Sequence, residues 1–190
     1  MTQTTPQMNP GARNRIYLTL AISACAVLFE ACRVSMPKGA VAVKPFDKEK
    51  YLGKWYEIAR MDFKFEKHLE SVTADYTSGE EGTIQVKNRG YHTVKKVWKE
   101  STGTAKSVRD PAEGRLKVSF FGPFYAGYNI IAIDPGYRHA LVAGNNLKYL
   151  WILSRTPDIP EGIKTLFMRQ ARALGYDIKK LIWTNQEQNR

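Results

Sequence analysis

The chain has 190 residues, of which 43% are hydrophobic, and this suits a single globular domain with a core of its own. Its formal net charge of +11 permits nucleic acid, an anionic membrane surface or anionic small molecules as partners. Both cysteines, Cys25 and Cys32, lie near the N terminus, which excludes a disulfide framework and a cysteine-based zinc site for residues 33–190.

Residues 1–32 have the pattern of a bacterial secretory signal. Two arginines precede a largely apolar run over 16–29, which at about fourteen residues is short for a bilayer span of roughly 20 residues. Small residues stand before both cysteines, which suggests a lipoprotein signal in which a lipidated cysteine becomes the new N terminus. Cys25 and Cys32 are both candidates, and an ordinary or uncleaved signal is the alternative.

From residue 51 onward, apolar and polar residues alternate and turn signals recur, a pattern typical of antiparallel strands. We predict eight strands, at 51–60, 71–77, 83–91, 94–108, 114–121, 127–134, 137–144 and 148–155. The short connections favour neighbouring strands, and eight such strands remove their free edges by closing. The sequence therefore predicts an all-β, eight-stranded antiparallel up-and-down barrel, whose interior holds side chains or one small ligand.

The apolar spacing changes to a helical period over 158–175. The apolar stripe consists of Ile163, Leu166, Phe167 and Leu174. Asp158 with Glu161 predicts the N-terminal cap, and Gly175 predicts the C-terminal cap. A single amphipathic helix must bury its stripe, so we expect one C-terminal α-helix packed outside the barrel wall.

These elements divide the chain into four parts. Residues 1–32 form the signal segment and residues 33–46 a short tether. Residues 47–184 form the barrel with its C-terminal helix, including a short closing strand at 180–184. Residues 185–190 form a tail.

An arginine stands at the end of the last apolar strand. Burying the charge of Arg155 is costly unless it meets a partner, and the face of a tryptophan is a favourable one. We predict that Arg155 stacks over Trp55 and closes one end of the barrel, with Gly53 allowing the chain to pack closely there. A surface arginine and an unrelated core tryptophan are the alternative.

Three short motifs carry a family resemblance. GKWYEIAR (53–60) resembles the lipocalin G-x-W signature, DPGYRHALV (134–142) resembles the second lipocalin motif, and WILSRTP (151–157) resembles the third. Each motif alone is a weak signal, but three in this order on an eight-strand meander are specific. The resemblance covers about residues 44–184 and is closest to the bacterial outer-membrane lipoprotein lipocalins.

The resemblance implies a calyx that binds a lipophilic ligand, such as a fatty acid or a lysophospholipid, in transport, storage or envelope maintenance. It also implies an anchor on a lipidated cysteine, and Cys32 is preferred over Cys25 because its tether length resembles that of the family. The residue after either cysteine is not Asp, which favours the outer membrane, facing the periplasm. Haem or another hydrophobic small molecule is the alternative ligand.

Strand parity predicts which side chains face the ligand. The predicted ligand-binding residues are Tyr76, Phe120, Tyr128, Ile130, Tyr149 and Trp151. Ala132 is assigned to the same inward face as Tyr128 and Ile130, where it and Ala74 leave space between the larger aromatic rings. A barrel filled by its own side chains is the alternative.

The stretch FFGPFYAGY (120–128) predicts a stiff apolar loop at the end of the barrel opposite Trp55. Exposed apolar patches of this kind mark ligand mouths, membranes or partner surfaces. We expect the loop to form the rim of the mouth or a contact in a homodimer, with ordinary packing as the alternative.

Other classes of function have little support in the sequence. His68, His92 and His139 lack the spacing of metal ligands, so we predict no metal site and no cofactor. Glu57 could be a buried carboxylate but has no evident catalytic companion, and we expect no enzyme activity. A nucleic-acid binder should interleave basic and aromatic residues on one exposed face, whereas here the aromatic residues fall on apolar faces.

Overall fold

Nine antiparallel strands form one sheet in the computed structural model, which describes residues 34–189. The strands are β1 (Gly53–Met61), β2 (Leu69–Ser78), β3 (Ile84–His92), β4 (Val97–Ser107), β5 (Arg115–Phe121), β6 (Phe124–Ile133), β7 (His139–Ala143), β8 (Leu150–Ser154) and β9 (Leu181–Trp183). The same residues contain two α-helices, α1 (Lys48–Tyr51) and α2 (Glu161–Ala173). None of these helices is long and apolar enough to cross a membrane.

The first strand closes the sheet into a barrel. β1 pairs with β8 along one edge and with β2 along the other, while each remaining strand pairs with its neighbour in sequence. The predicted eight-stranded up-and-down barrel is therefore confirmed. β9 continues the sheet beside the far half of β1, where Leu181 lies opposite Met61.

The two ends of the barrel are formed by different connections. The connections at 62–68, 93–96, 122–123 and 144–149 meet at one end, which we call the mouth. The connections at 79–83, 108–114 and 134–138 meet at the other end, which we call the closed end. β1 begins at the closed end, so the β5–β6 turn lies opposite Trp55, as the strand order predicted.

Alternation along the strands separates an inner from an outer apolar cluster. Trp55 pairs with Ala74, and Leu116 with Tyr128, and all four belong to the inner cluster. In β6 the alternation is interrupted by a bulge between Ile130 and Ala132. The prediction that Ala132 points inward is therefore wrong: it packs with the outer cluster, and Ile133 takes the inward position.

Helix α2 covers the outer cluster, as its amphipathic pattern predicted. Phe167 and Ala171 are buried there against the wall formed by β7 and β8. Gly175, at φ +94°, ends the helix: its N–H donates to the Arg172 carbonyl at 2.9 Å and that of Tyr176 to the Ala171 carbonyl at 3.1 Å.

The predicted start of α2 is wrong. The residue before the helix is Pro160, and no side chain caps the helix there. The carbonyl of Asp158 instead accepts hydrogen bonds from the hydroxyls of Ser154 and Thr156, each at 2.9 Å, and this turn delays the helix until Glu161. Glu161 pairs with Lys164 rather than with the helix terminus.

Both segments that flank the barrel contact it. On the N-terminal side, Val43 is hydrogen-bonded to Ile130 and Gly114, and Phe46 is buried in the inner cluster. On the C-terminal side, Gln186 donates to the carbonyls of Glu57 (2.7 Å) and Val72 (3.0 Å), across the gap where β1 and β2 separate.

All the strands and both apolar clusters therefore lie within residues 34–189. Residues 34–190 form one self-contained compact unit.

Arg155 seals the closed end. Its guanidinium lies 3.9 Å from the ring centroid of the fully buried Trp55. The same group donates at 2.8 Å to the carbonyls of Lys50, Leu52 and Lys54, which joins α1 to the start of β1. Gly53 has a φ of +94°, and a Cβ at this position would lie 3.3 Å from the guanidinium, so glycine fits here for two reasons.

We predict energetic coupling between Trp55 and Arg155. Trp55→Ala should lower the free energy of unfolding by about 3–5 kcal/mol because a large buried aromatic is lost. Arg155→Ala should lower it by on the order of 2 kcal/mol through the stacking and the carbonyl contacts. Because the losses share one contact, the double variant should lose about 1 kcal/mol less than their sum in urea melts.

The outer face of the barrel provides a matched control. Arg89 lies 3.7 Å from the ring centroid of Trp98, but on a solvent-facing side of β3 and β4. The same cycle on this pair should give a coupling of only about 0.5 kcal/mol. Strict additivity at Trp55 and Arg155 would contradict the prediction.

Candidate ligand-binding site

The lower half of the barrel interior is a packed floor. Its apolar side chains come from most of the strands, and each is at most 5% exposed. They are Trp55, Ile84, Val86, Ala105, Leu116, Ile130, Ala140 and Leu153. This floor excludes water from the closed end, so a ligand can enter the barrel only from the mouth.

Three tyrosine hydroxyls lie within the apolar interior. The Tyr128 hydroxyl is 2.7 Å from those of Tyr51 and Tyr76, and the three form a hydrogen-bonded chain. Burial raises the pKa of each of these tyrosines, so the chain is uncharged at neutral pH. Three neutral hydroxyls satisfy one another here without placing a charge in the interior.

An aromatic wall rises from Tyr128 to the mouth. The Trp151 ring stacks between those of Tyr128 (6.5 Å) and Tyr149 (6.3 Å), and Phe63 meets its edge at 5.6 Å. Unlike the floor, these rings are only partly buried. They therefore present apolar surface that a ligand in the mouth can cover, together with the nearby Phe120.

The opposite wall is built from small and polar residues. The inward positions of β3 and β4 near the mouth are Asn88, Gly90, Lys99, Ser101 and Gly103, as the unbroken β3–β4 register shows. The small residue at Gly103 leaves room for the Phe120 ring, which a Cβ there would approach to 2.8 Å. Lys99 is exposed and is the basic residue that this register turns toward the inside of the mouth.

A charged cluster lies beside the aromatic wall. Arg60 is 1% exposed, and its guanidinium contacts the carboxylates of Glu57 at 2.7 Å and Glu66 at 3.5 Å. Trp151 Nε1 donates to Glu66 Oε2 at 3.3 Å, and the Thr184 hydroxyl donates to Glu57 at 2.6 Å. With two acidic partners, Arg60 is already neutralised and is not a free receptor for an anionic ligand.

Burial of Glu66 changes its acidity. Desolvation, followed by the neighbouring charge of Glu57, raises the pKa of Glu66 well above its ordinary value, and Arg60 only partly opposes this. Glu66 belongs to the 62–68 connection, which also carries Phe63. The carboxyl group of Glu66, whose pKa is raised, therefore lies in the same 62–68 connection that contacts Trp151.

The structure brings most of the predicted ligand-binding residues together. Phe120, Tyr128, Tyr149 and Trp151 surround the mouth, whereas Tyr76 and Ile130 lie deeper and are buried. The predicted closure residues Gly53, Trp55 and Arg155 lie at the other end. Cys25 and Cys32 lie outside the described residues.

The three histidines are not grouped with other side chains that could bind a metal ion. The rings of His68 and His92 lie 5.8 Å apart at the mouth, and His139 lies beside Asp134 at the closed end. Within residues 34–189, no group of three or more His, Cys, Asp or Glu side chains is placed to hold a metal ion.

Sequence reasoning missed Tyr51, Phe63, Arg60 and Glu66. Strand parity could have placed Glu57 on the inner face, two residues after Trp55. Arg60 faces inward only because β1 is bulged between Glu57 and Ala59, and no turn or composition signal marks that bulge. Glu66 and Phe63 come from an irregular connection, where parity gives no information.

A closed up-and-down barrel with a packed floor, an open aromatic mouth and an outer helix defines a calyx, the class of small barrels that hold one hydrophobic ligand. The family model of the lipocalin-like domain matches residues 46–186. The chain therefore belongs to the lipocalin family, as the three sequence motifs indicated. Members of this class bind hydrophobic small molecules.

Similar proteins are found in bacteria and plants. The chain is 47% identical to the outer membrane lipoprotein Blc of Citrobacter freundii, over 90% of this chain and 98% of that protein. It is 46% identical to the protein of the same name in Escherichia coli K12, with the same coverage. It is 36% identical to temperature-induced lipocalin-1 of Arabidopsis thaliana, over 76% of this chain and 81% of that protein.

Solved structures share the fold at lower identity. The cockroach allergen Per a 4 aligns with a TM-score of 0.63 at 23% identity, covering 80% of this chain and 96% of its own. Insecticyanin from the tobacco hornworm aligns with a TM-score of 0.64 at 18% identity, covering 80% and 87%. At these identities the likeness shows the fold alone.

We predict that stability depends on the protonation of Glu66. Its raised pKa means that the folded protein retains a proton that the unfolded chain releases above the ordinary value of 4.5, so the free energy of unfolding falls as pH rises through that window. Glu66→Gln is always neutral and can still accept from Trp151. Its stability relative to the native chain should therefore increase between about pH 5 and about pH 8 in urea melts.

Glu70→Gln, at an exposed position in β2, is the matched control. A Glu66→Gln offset that depends on pH no more than the offset of this control would contradict the assignment.

Proposed function

We propose that this protein binds a long acyl chain, as a fatty acid or a lysophospholipid, with the chain inside the barrel and the headgroup at the mouth. The observation that carries the proposal is the aromatic wall of Tyr128, Tyr149 and Trp151, which is apolar, partly exposed and directly above a packed floor. None of these three side chains carries a charge that could pair with a charged ligand along the wall.

The position of the charges supports a headgroup at the mouth. Arg60 is occupied by Glu57 and Glu66, and the tyrosine hydroxyls are uncharged, so within residues 34–189 the deep interior offers no unpaired cation to an anionic group. Lys99 is exposed and faces the inside of the mouth from β4. An acyl chain with a carboxylate or phosphate head can therefore cover the aromatic wall and reach this lysine.

We place the protein at the bacterial outer membrane, facing the periplasm. Support comes from the printed names of the bacterial relatives, which are outer membrane lipoproteins, and from the signal pattern in residues 1–32. The anchor would be Cys32 or, alternatively, Cys25, which lie outside the described residues. The role is storage or transport of lipid in maintenance of the envelope, by binding rather than by catalysis.

We predict that changes at the mouth weaken binding of a fluorescent fatty acid. Trp151→Ala removes the centre of the aromatic wall and should weaken binding roughly tenfold or more. Ala126→Trp should have a similar effect, because Ala126 is exposed and shares the inward face of Val118. Trp98→Ala is the control on the outer face and should bind normally in the same titrations.

The contact between Lys99 and the headgroup is tested with two ligands of equal chain length, a fatty acid and a fatty alcohol. Lys99→Met should weaken binding of the acid and leave the alcohol unchanged, whereas Lys106→Met, on the same strand, should change neither. A barrel that binds neither ligand, or variants at Trp151 and Ala126 that bind both normally, would overturn the proposed function.

We predict that labelled palmitate is incorporated into the native chain in a bacterial host. Cys32→Ala should abolish the incorporation while Cys25→Ala retains it, because the tether that follows Cys32 resembles that of the family in length. The reverse pattern would assign the anchor to Cys25. Incorporation into neither the native chain nor the variants would contradict a lipid anchor.

A further inference from the structure

Exposed apolar side chains are concentrated at the mouth. Of the ten large hydrophobic residues that are exposed in the described part, six lie on or next to the four mouth connections, and none lies on the three closed-end connections. These six residues, which we call the apolar rim, are Phe65, Val94, Val97, Phe121, Phe124 and Leu147. Phe65, Phe121 and Phe124 are each at least 74% exposed, so the rim is not part of the folded core.

The charged residues, like the exposed apolar ones, are distributed unevenly between the two ends of the barrel. The mouth connections carry five exposed lysines against two acidic residues, of which Glu66 is largely buried. These lysines are Lys64, Lys67, Lys95, Lys96 and Lys148. The three closed-end connections carry five acidic residues against two arginines. The segment before β1 and the end of β8 also lie at the closed end, where they add five basic residues (Lys44, Lys48, Lys50, Lys54 and Arg155) against Asp47 and Glu49. The charges at the closed end therefore balance, whereas the mouth is basic and apolar.

The chain that precedes the barrel leaves from the mouth side. Ser35 is hydrogen-bonded to Asn145 of the 144–149 connection, at 3.3 Å through its N–H and 3.0 Å through its hydroxyl. Only two residues separate Ser35 from Cys32, and the three fully extended steps between their Cα atoms span about 10 Å. A lipid on Cys32, which rests on the proposed function, would therefore hold this side of the barrel near the membrane.

We infer that the apolar rim docks on the surface of a bilayer that contains anionic lipids. The phenylalanines enter the boundary between headgroups and acyl chains, and the surrounding lysines contact the anionic headgroups. This arrangement turns the mouth toward the membrane and the closed end, whose charges balance, away from it. The docking goes beyond ligand binding, because it requires no lipid inside the barrel.

The test uses residues 34–190, the self-contained part of the chain, which lacks both cysteines and therefore any lipid anchor. Sedimentation with vesicles of equal parts phosphatidylcholine and phosphatidylglycerol should show binding that is weaker on phosphatidylcholine alone. Phe121→Ser/Phe124→Ser should lower the partitioning roughly tenfold or more. Lys67→Glu/Lys95→Glu should lower it by a similar factor on the anionic vesicles only.

Matched double variants away from the mouth provide the controls. Val41→Ser/Trp183→Ser removes exposed apolar groups elsewhere, and Lys54→Glu/Arg109→Glu reverses charges at or near the closed end, and both should bind normally. Urea melts verify that every variant is folded.

Single cysteines carrying an environment-sensitive dye report the orientation. A dye on Val94→Cys at the mouth should shift to the blue with vesicles, and a dye on Ala112→Cys at the closed end should not. Absence of vesicle binding, equal loss in the control variants, or a shift at Ala112 alone would overturn the inference. A dimer that depends on Phe121 and Phe124 without vesicle binding would also overturn it and assign the rim to a second copy of this chain.

Discussion

The stacking of Arg155 on Trp55 seals one end of this barrel, and the difference between its closed end and its open end depends on that contact. One guanidinium covers the tryptophan face and donates hydrogen bonds to the backbone carbonyls of Lys50, Leu52 and Lys54. Burying a cation within the packed floor would be costly. At the edge of the floor, the guanidinium of Arg155 instead holds α1 and the start of β1 against the barrel. Because this end is sealed, the packed floor excludes water while the barrel stays open at the mouth.

The mouth combines apolar side chains with lysines both inside the barrel and on its outer surface. Inside, aromatic rings follow one wall to the mouth, while Lys99 faces them from the other. Outside, apolar side chains and lysines surround the same opening, whereas acidic and basic residues balance at the opposite end. A hydrophobic ligand with an anionic head and an anionic bilayer therefore match the same end of the molecule.

The charged cluster near the mouth adds a constraint of a different kind. Glu57, Arg60 and Glu66 are held in a region where a net charge would be costly, and their contacts join β1, the 62–68 connection and Thr184, which follows β9. Glu66 also accepts from Trp151, so the electrostatics of the cluster and the geometry of the aromatic wall are not independent.

The sequence predicted the barrel well because its alternation is regular over most strands. In β3 and β4 the register runs from Ile84 to His92 without interruption, so parity assigns the faces correctly. Parity failed at Ala132 and could not place Arg60, because one extra residue in β6 and in β1 reverses the faces beyond it. Phe63 and Glu66 could not be found because contacts between distant segments, rather than local periodicity, position an irregular connection.

The central claim is that a hydrophobic chain enters the mouth and lies against the aromatic wall. The most direct measurement is quenching of Trp151 fluorescence by an acyl chain carrying bromine near its middle, in residues 34–190 with Trp98→Phe and Trp183→Phe to remove the outer tryptophans. The account predicts strong, saturable quenching that an unlabelled chain of the same length reverses. Unchanged fluorescence in this variant, with quenching only when Trp98 and Trp183 are present, would place the ligand outside the barrel and contradict the account.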